Sequence, residues 1–275
     1  AAINKQYPGF YMVGEVFEED SAQTAFFQGG KTGWDGVDTG LPSVFDFKLW
    51  RSSQEVFTGK KPARALRDVL KYDGLYPDIG RVTVLANNHD TDRFMSLDGA
   101  TRDGAKLHTA FVMATRGIPQ LYYGEEVLMT GGHEPANRGD MAKFERSSRT
   151  TDEQEMFDWT RRWVATRRQH PAMRNGQTID VLYNDSVYAF RRVTAAEDLL
   201  FIINSSERPQ SVSFDRTEIN AVNIGCYFDI LIDLKTGMSP GGRCPDAGSS
   251  KVEFALEPRS ITAVKFENLS VLRAR

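Results

Sequence analysis

Residues 81–94 read RVTVLANNHDTDRF, and this stretch indicates the kind of fold to which the chain belongs. Its first half is rich in β-branched and apolar residues, which predicts a strand. Its second half is polar and titratable, because Asn-Asn-His-Asp is followed by Thr-Asp-Arg. In a parallel α/β barrel, the carboxyl ends of the strands form the functional face. The stretch therefore predicts a parallel strand with site residues at its end.

Three other predicted strands also carry polar residues near their ends. GFYMVGEVF (residues 9–17) contains Glu15, and IPQLYYG (residues 118–124) leads into two glutamates. SVFDFK (residues 43–48) contains Asp46, which we interpret as a structural carboxylate that orients its neighbours through hydrogen bonds. Four polar strand ends that meet on one rim are a stronger sign of function than any one of them.

Helical patterns lie between and after these strands, at residues 49–57, 62–72, 101–116 and 152–168. The third of them has the i, i+3, i+4, i+7 spacing of a packed helix, formed by Leu107, Ala110, Phe111 and Ala114. Strands that alternate with helices in this way predict a parallel sheet with crossover helices.

From about residue 178 the apolar period changes to two, in short strands separated by turn residues. FDILIDL (residues 228–234) alternates, with Phe228, Ile230, Ile232 and Leu234 on one face. This tail predicts a separate antiparallel β-sandwich of about a hundred residues.

The composition of the 275 residues is that of an ordinary globular protein, with 40% hydrophobic and 26% charged residues. A net charge of −3 gives no electrostatic reason to expect nucleic acid or a membrane as partner. No run of 18 apolar residues occurs. The first residues lack an initiator Met and a signal layout, so we expect a processed or truncated chain.

Cys226 and Cys244 are the two cysteines, in a segment rich in glycine and proline. They are too few for a structural zinc site. Either they form a local disulfide, which would favour an exported protein, or they are two reduced thiols.

Four stretches resemble motifs of the α-amylase family of glycoside hydrolases, in particular its neopullulanase and cyclomaltodextrinase branch: GEVF (14–17), LPSVFDF (41–47), LANNHDTDRF (85–94) and GIPQLYYGEE (117–126). In that family they belong to barrel strands five, six, seven and eight. The resemblance implies an α/β fold for residues 1–175, the C-terminal half of a (β/α)8 barrel. An all-β antiparallel sandwich would follow in residues 176–275.

The resemblance also implies two catalytic residues. Glu15 would be the general acid/base, and Asp90 the carboxylate that grips sugar hydroxyls in the transition state. His89 and Asn88 would bind the sugar at the cleavage point. Taken singly, Glu15 could instead be a structural ion-pair partner, and His89-Asp90 a loop cap.

Four further residues are predicted to bind substrate. Phe17 and Trp34 could offer faces to glucose rings, and so could Tyr123, for which a core role is the alternative. Arg93 would hold nearby carboxylates in place, or simply neutralise them. No metal ligands are predicted, although calcium is possible in a longer protein of this family.

The implied function is retaining hydrolysis of α-glucans such as maltooligosaccharides, cyclodextrins or pullulan. The alternatives are α-glucan transglycosylation and a non-catalytic carbohydrate-binding module. The family's nucleophile is an Asp in a stretch like GFRxDxxxH, which this sequence lacks, so we expect the chain alone to be inactive. Its expected partners are a glucan and either the preceding barrel half or a second copy, and its expected location is periplasmic or extracellular.

Overall fold

The structure is a computed structural model that describes residues 2–221, 224–231, 242–244 and 249–268. Its helices are α1 Ala2–Gln6, α2 Ser21–Phe27, α3 Phe47–Phe57, α4 Arg64–Leu70, α5 Arg102–Ala114, α6 Thr151–Gln169 and α7 Pro171–Asn175. Its strands are β1 Val13–Gly14, β2 Ser43–Val44, β3 Thr83–Leu85, β4 Ile118–Gln120, β5 Gln177–Tyr183, β6 Val187–Val193, β7 Asp198–Asn204, β8 Gln210–Asp215, β9 Ile224–Asp229, β10 Gly242–Arg243, β11 Lys251–Leu256 and β12 Ser260–Asn268.

The first four strands are parallel and follow one another in chain order. β1 pairs with β2, and β3 pairs with β4, both in parallel register. A parallel bridge between Phe45 and Thr83 joins the two pairs. Helices connect these strands, so the predicted parallel arrangement with crossover helices is confirmed. The face predicted for α5 is also confirmed, since its four apolar residues are buried.

The predicted strand at residues 43–48 is wrong beyond Val44, because a helix begins at Phe47. Asp46 is the N-cap of that helix, and its carboxylate accepts a hydrogen bond from the backbone N–H of Leu49 at 2.9 Å. The same carboxylate lies 2.8 Å from Arg116, which also pairs with Asp73 at 2.6 Å. The structural interpretation of Asp46 is confirmed.

The tail forms a six-stranded antiparallel sheet in the order β10-β9-β12-β7-β6-β5, together with a two-stranded ribbon of β8 and β11. The predicted alternation holds in β11, but β6 and β7 are almost wholly buried. Both of their faces are covered, which removes the reason for a polar face. In the predicted strand 228–234, Ile232 and Leu234 lie outside the described residues.

The six-stranded sheet contributes to two hydrophobic cores. Phe190 and Phe201 face the helices and pack in one core with Trp163 of α6 and Phe111 of α5. The opposite face packs against the β8–β11 ribbon. α7 ends at Asn175 and β5 begins at Gln177. The division into domains at residues 175 and 176 stays a prediction.

Cys226 and Cys244 form a disulfide, which decides between the two alternatives left open by the sequence. Among the described helices, none combines the length and the apolar character that crossing a membrane requires.

Candidate active site

The loop after β3 presents His89 and Asp90 at the surface. Asn88 is buried beneath them, and its Oδ1 accepts a hydrogen bond from the backbone N–H of Asp90 at 3.0 Å. The backbone N–H of Asn88 donates to Oγ1 of Thr91 at 3.2 Å. The side chains of His89 and Asp90 are 56% and 34% exposed, and His89 Nε2 lies 3.3 Å from Asp90 Oδ2. Asn88 therefore shapes the turn, while its two neighbours face solvent.

A second loop, which follows β4, holds this turn in place. Arg138 donates from Nη2 to Oδ1 of Asp90 at 2.9 Å and from Nε to the carbonyl of His89 at 3.0 Å. Nδ2 of Asn137 donates to the carbonyls of His89 and Thr91 at 2.7 and 3.0 Å. Arg138 and Asn137 were not predicted. They lie nearly 50 positions from their partners, and no local pattern marks such a contact.

A groove of about 310 Å³ brings the ends of β1 and β3 together. Phe17 and Asp90 both line it, together with Trp50 and Gln54 of α3. The exposed ring of Phe17 rests on Phe47, with ring centroids 4.4 Å apart. The groove combines aromatic and carboxylate side chains, as sites that bind polar ligands with apolar ring faces do.

Glu15 follows β1 directly and is exposed. The strand predicted over residues 9–17 is wrong outside Val13 and Gly14. β1 is only two residues long, and among the described residues it pairs on one side only, with β2. Glu15 therefore needs no buried partner, and its carboxylate is free to meet a ligand.

The side chain of Arg93 is 0% exposed and lies 3.8 Å from the carboxylate of Glu125, and its predicted place among the substrate-binding residues stays a prediction. Its guanidinium donates to the carbonyls of Tyr123 and Asn137 at 2.6 and 3.0 Å. It also lies under the rings of Tyr122 and Tyr123, 4.6 and 4.7 Å from their centroids. Arg93 thus anchors the segment after β4, in a positioning role.

The other two predicted aromatic residues are exposed to different extents. Tyr123 is partly exposed, and its hydroxyl donates to the carbonyl of Gly139 at 2.8 Å. Trp34 is 89% exposed, and its ring centroid lies 5.8 Å from that of Phe26. Neither lines the groove that contains Phe17 and Asp90. Their roles in binding stay predictions.

Glu125, a neighbour of Arg93, is a buried carboxyl for which no role was predicted. Burial raises the pKa of Glu125 to about 7, and the opposing effects of Asn87 and Arg93 are smaller. Its Oε1 lies 3.8 Å from Nη1 of Arg93. The oxygen of Asn87 is engaged elsewhere, by Gln54 at 2.8 Å and Trp50 at 3.3 Å.

Within the described ranges, no three His, Cys, Asp or Glu side chains are grouped so that they could hold a metal ion. The side chains near the ends of β1 and β3 that could act on a ligand include the carboxylates of Glu15 and Asp90, the imidazole of His89 and the ring of Phe17. In barrel enzymes, the groups that act on substrate stand at the carboxyl ends of parallel strands.

Comparison with known proteins assigns the chain to a family. The sequence profile described as alpha amylase, catalytic domain, matches residues 1–177. The chain therefore belongs to the α-amylase family.

The most informative relatives are enzymes named for starch chemistry. The Beta/alpha-amylase of Paenibacillus polymyxa is 28% identical over 209 residues, 73% of this chain and 16% of that protein. A cyclomaltodextrin glucanotransferase of Thermoanaerobacterium thermosulfurigenes is 30% identical over 200 residues, 72% of this chain and 27% of that protein. The chain thus spans about a quarter or less of the length of these relatives.

Solved structures share the fold. The α-amylase of Geobacillus thermoleovorans, crystallised with acarbose, superposes with a TM-score of 0.79 at 20% identity, covering 97% of this chain and 55% of that one. A cyclomaltodextrinase superposes with a TM-score of 0.74 at 17% identity, covering 96% and 42%.

Proposed function

We propose that this chain is part of a retaining glycoside hydrolase that acts on α-glucans, with Glu15 as the general acid/base. The observation that carries the proposal is the groove lined both by Phe17, which follows β1, and by Asp90, which follows β3. Family membership supplies the reaction class. Structural neighbours were solved in complex with acarbose, maltotriose and maltose, which supports a glucan for this groove.

Retaining hydrolysis requires two carboxyl groups ~5–5.5 Å apart, one to attack the anomeric carbon and one to protonate the leaving oxygen. Glu15 would donate that proton and later activate water. Asp90, held by Arg138 at 2.9 Å, would accept hydrogen bonds from sugar hydroxyls. His89 would donate to the same sugar, and the ring of Phe17 would stack on a neighbouring glucose.

We further propose that β1 to β4 are strands five to eight of a (β/α)8 barrel, followed by a β-sandwich. Such a barrel closes with eight strands, and the chain covers 55% of the Geobacillus amylase. The family's nucleophile would then belong to a preceding segment, and the 275-residue chain alone would be inactive.

The unpaired edges of the two outer strands, β1 and β4, support the proposal that a partner binds there. Within the described residues, β1 and β4 each pair on one side only, and exposed apolar side chains lie there, including Val13 and Ile118. Unpaired strand edges favour association. We expect the isolated chain to self-associate or to bind the preceding barrel half. A monomer in light scattering at micromolar concentration, unchanged by the added half, would contradict this.

The test of the catalytic assignment uses the complete protein that contains this chain. Glu15→Gln should lower kcat on maltooligosaccharides by about 10²–10⁴-fold, the usual contribution of a general acid. Binding measured by calorimetry should persist. Glu19→Gln, an exposed neighbour paired with Arg51 at 3.0 Å, is the matched control and should keep full activity. Unchanged kcat in Glu15→Gln would refute the assignment.

Transglycosylation is the second candidate, because several relatives are cyclomaltodextrin glucanotransferases. It uses the same groups and differs in whether water or a sugar accepts the glycosyl unit. Product analysis separates the two, since a hydrolase yields shorter linear sugars and a transferase yields cyclic or longer ones. A non-catalytic binding module would bind the glucan without turnover in the complete protein. The neopullulanase and cyclomaltodextrinase branch also stays a proposal.

The disulfide between Cys226 and Cys244 supports a periplasmic or extracellular location, since such bonds persist in oxidising compartments. Intact bonding in protein recovered from cells without reduction, measured by mass spectrometry, would agree with export.

A further inference from the structure

A cavity of about 530 Å³ lies at the other end of the parallel strands from the groove. Its lining includes Gly80 and Arg81, which precede β3, and Arg116, which precedes β4. The segment that joins α7 to β5 forms the opposite wall. No role in the proposed reaction falls on these residues.

The charged residues that line this cavity are one aspartate, Asp78, and four arginines, namely Arg81, Arg116, Arg174 and Arg192. Arg81 lies 3.5 Å from Asp78, and Arg116 pairs with two carboxylates. Within the described residues, Arg174 and Arg192 have no carboxylate within 4 Å. Arg174 instead donates to two backbone carbonyls, at 2.5 and 3.1 Å.

Arg192 is 1% exposed, and its guanidinium has only neutral partners among the described residues. It donates to Oγ1 of Thr178 at 2.5 Å and to two carbonyls at 3.3 and 3.4 Å. A buried charge is costly unless an opposite charge offsets it. The position of Arg192 on this cavity therefore favours an anion there.

Arg116 is a second, independent indication of an anion in this cavity. It is 3% exposed, and its Nη1 is buried without a hydrogen-bond partner among the described residues. Unsatisfied buried donors are rare in folded proteins and call for an occupant such as an ion. The free donor belongs to a side chain that lines the cavity.

The electrostatics agree with this geometry. Burial lowers the pKa of Arg192 to about 9, and the charges of Arg167 and Arg116 lower it further. Burial and Arg174 lower the pKa of Arg167 to about 10. Burial is the largest cause in both cases, and Asp73 partly opposes the shift at Arg192, so the two pKa values show guanidinium groups that are desolvated beside this cavity.

We propose that this cavity binds a phosphate-type oxyanion, either inorganic phosphate or the phosphate group of a sugar ester. Guanidinium groups present planar pairs of donors that match the oxygens of phosphate, and the resulting charge-assisted hydrogen bonds are strong. The occupant would accept from Nη1 of Arg116 and balance Arg174 and Arg192.

The test is calorimetric titration of the 275-residue chain at low ionic strength with inorganic phosphate, glucose 6-phosphate and glucose. Phosphate should bind at this cavity, and glucose should not bind there. Tighter binding of glucose 6-phosphate than of phosphate would identify the ester as the ligand, and the reverse would identify the free ion.

Two variants locate the site. Arg174→Ala removes an exposed guanidinium and should weaken phosphate binding about tenfold or more. Arg192→Lys keeps the charge but loses the planar fork, and should weaken it similarly. Arg161→Ala, an exposed arginine of α6 outside the cavity lining, changes the net charge equally and should bind phosphate as the parent does.

Thermal unfolding followed by tryptophan fluorescence shows whether each variant is folded. If Arg192→Lys does not fold, Arg174→Ala still tests the proposal. No phosphate binding by the parent chain would overturn the proposal. An equal affinity in Arg174→Ala and the parent would overturn it as well. So would a loss confined to Arg138→Ala, since that result would place the anion beside Asp90.

Discussion

Glu125 and Arg93 form a buried pair, with side chains 9% and 0% exposed. The guanidinium of Arg93 is committed to the carbonyls of Tyr123 and Asn137, so it compensates the carboxylate only in part, from 3.8 Å. This explains why burial dominates and the pKa of Glu125 rises to about 7. At neutral pH the carboxyl of Glu125 is thus partly protonated.

The raised pKa makes stability depend on pH. The pKa of Glu125 is about 7 in the folded protein and 4.5 ordinarily. The contribution of Glu125 to the free energy of unfolding is therefore fully present below pH 4.5 and is lost as the pH rises through 7. Glu125→Gln removes the titration. We expect its free energy of unfolding to exceed the parent's by roughly 2–3 kcal/mol at pH 8 and by little at pH 4.5.

Urea denaturation at both pH values measures this difference. Glu145→Gln, an exposed glutamate, is the control and should show the same small difference at both. If the gain in free energy of unfolding of Glu125→Gln over the parent did not grow with pH, the carboxyl of Glu125 would be ionised at little cost in the folded protein.

At the scale of elements, α6 begins with a capping box. Oγ1 of Thr150 accepts from the backbone N–H of Glu153 at 3.3 Å, and the Glu153 carboxylate accepts from the backbone N–H of Thr150 at 2.7 Å. These bonds satisfy donors that a helix start would otherwise leave open. Since Trp163 carries α6 into the main core, the cap secures an element on which the core depends.

Thr150→Ala should lower the free energy of unfolding by about 1 kcal/mol, the usual cost of losing such a cap. Thr151→Ala is the matched control, since Thr151 is exposed in the first turn and makes no part of the box. Chemical denaturation of both variants measures the difference. Equal stabilities would mean that solvent replaces the cap without loss.

Elements with strong local patterns were predictable, and those that depend on partners were not. The apolar spacing at residues 101–116 marked α5 almost to its ends. The observed β1 has only two residues and is far shorter than the predicted strand, because pairing on one side alone does little to stabilise a longer strand. In the site, Asp90 follows a readable strand, but its contact with Arg138 exists only once the chain is folded. The burial of Arg93 likewise depends on two tyrosines 29 and 30 positions away.

At the scale of the whole molecule, the predicted boundary at residue 175 crosses a continuous core. Phe201 of β7 stacks on Phe190, with centroids 5.2 Å apart, and lies 6.4 Å from the ring of Trp163 in α6. Arg259 donates to the carbonyl of Phe57 at 3.1 Å, which adds a polar contact across the same junction. The helices and the six-stranded sheet share the apolar surface that stabilises them, so we expect them to unfold together.

Phe201→Ala tests this coupling, because the cavity it leaves lies between the two parts. We expect a loss of about 3–5 kcal/mol, visible as an equal shift in two probes. Tryptophan fluorescence reports the first part, which holds all four tryptophans, and hydrogen–deuterium exchange of the backbone amides of β6 and β7, followed by mass spectrometry through the same denaturation, reports the sheet. Phe144→Ala, on an exposed ring, is the control and should shift neither. If the exchange transition moved while the fluorescence transition stayed, the two parts would be independent domains, each stabilised by its own core.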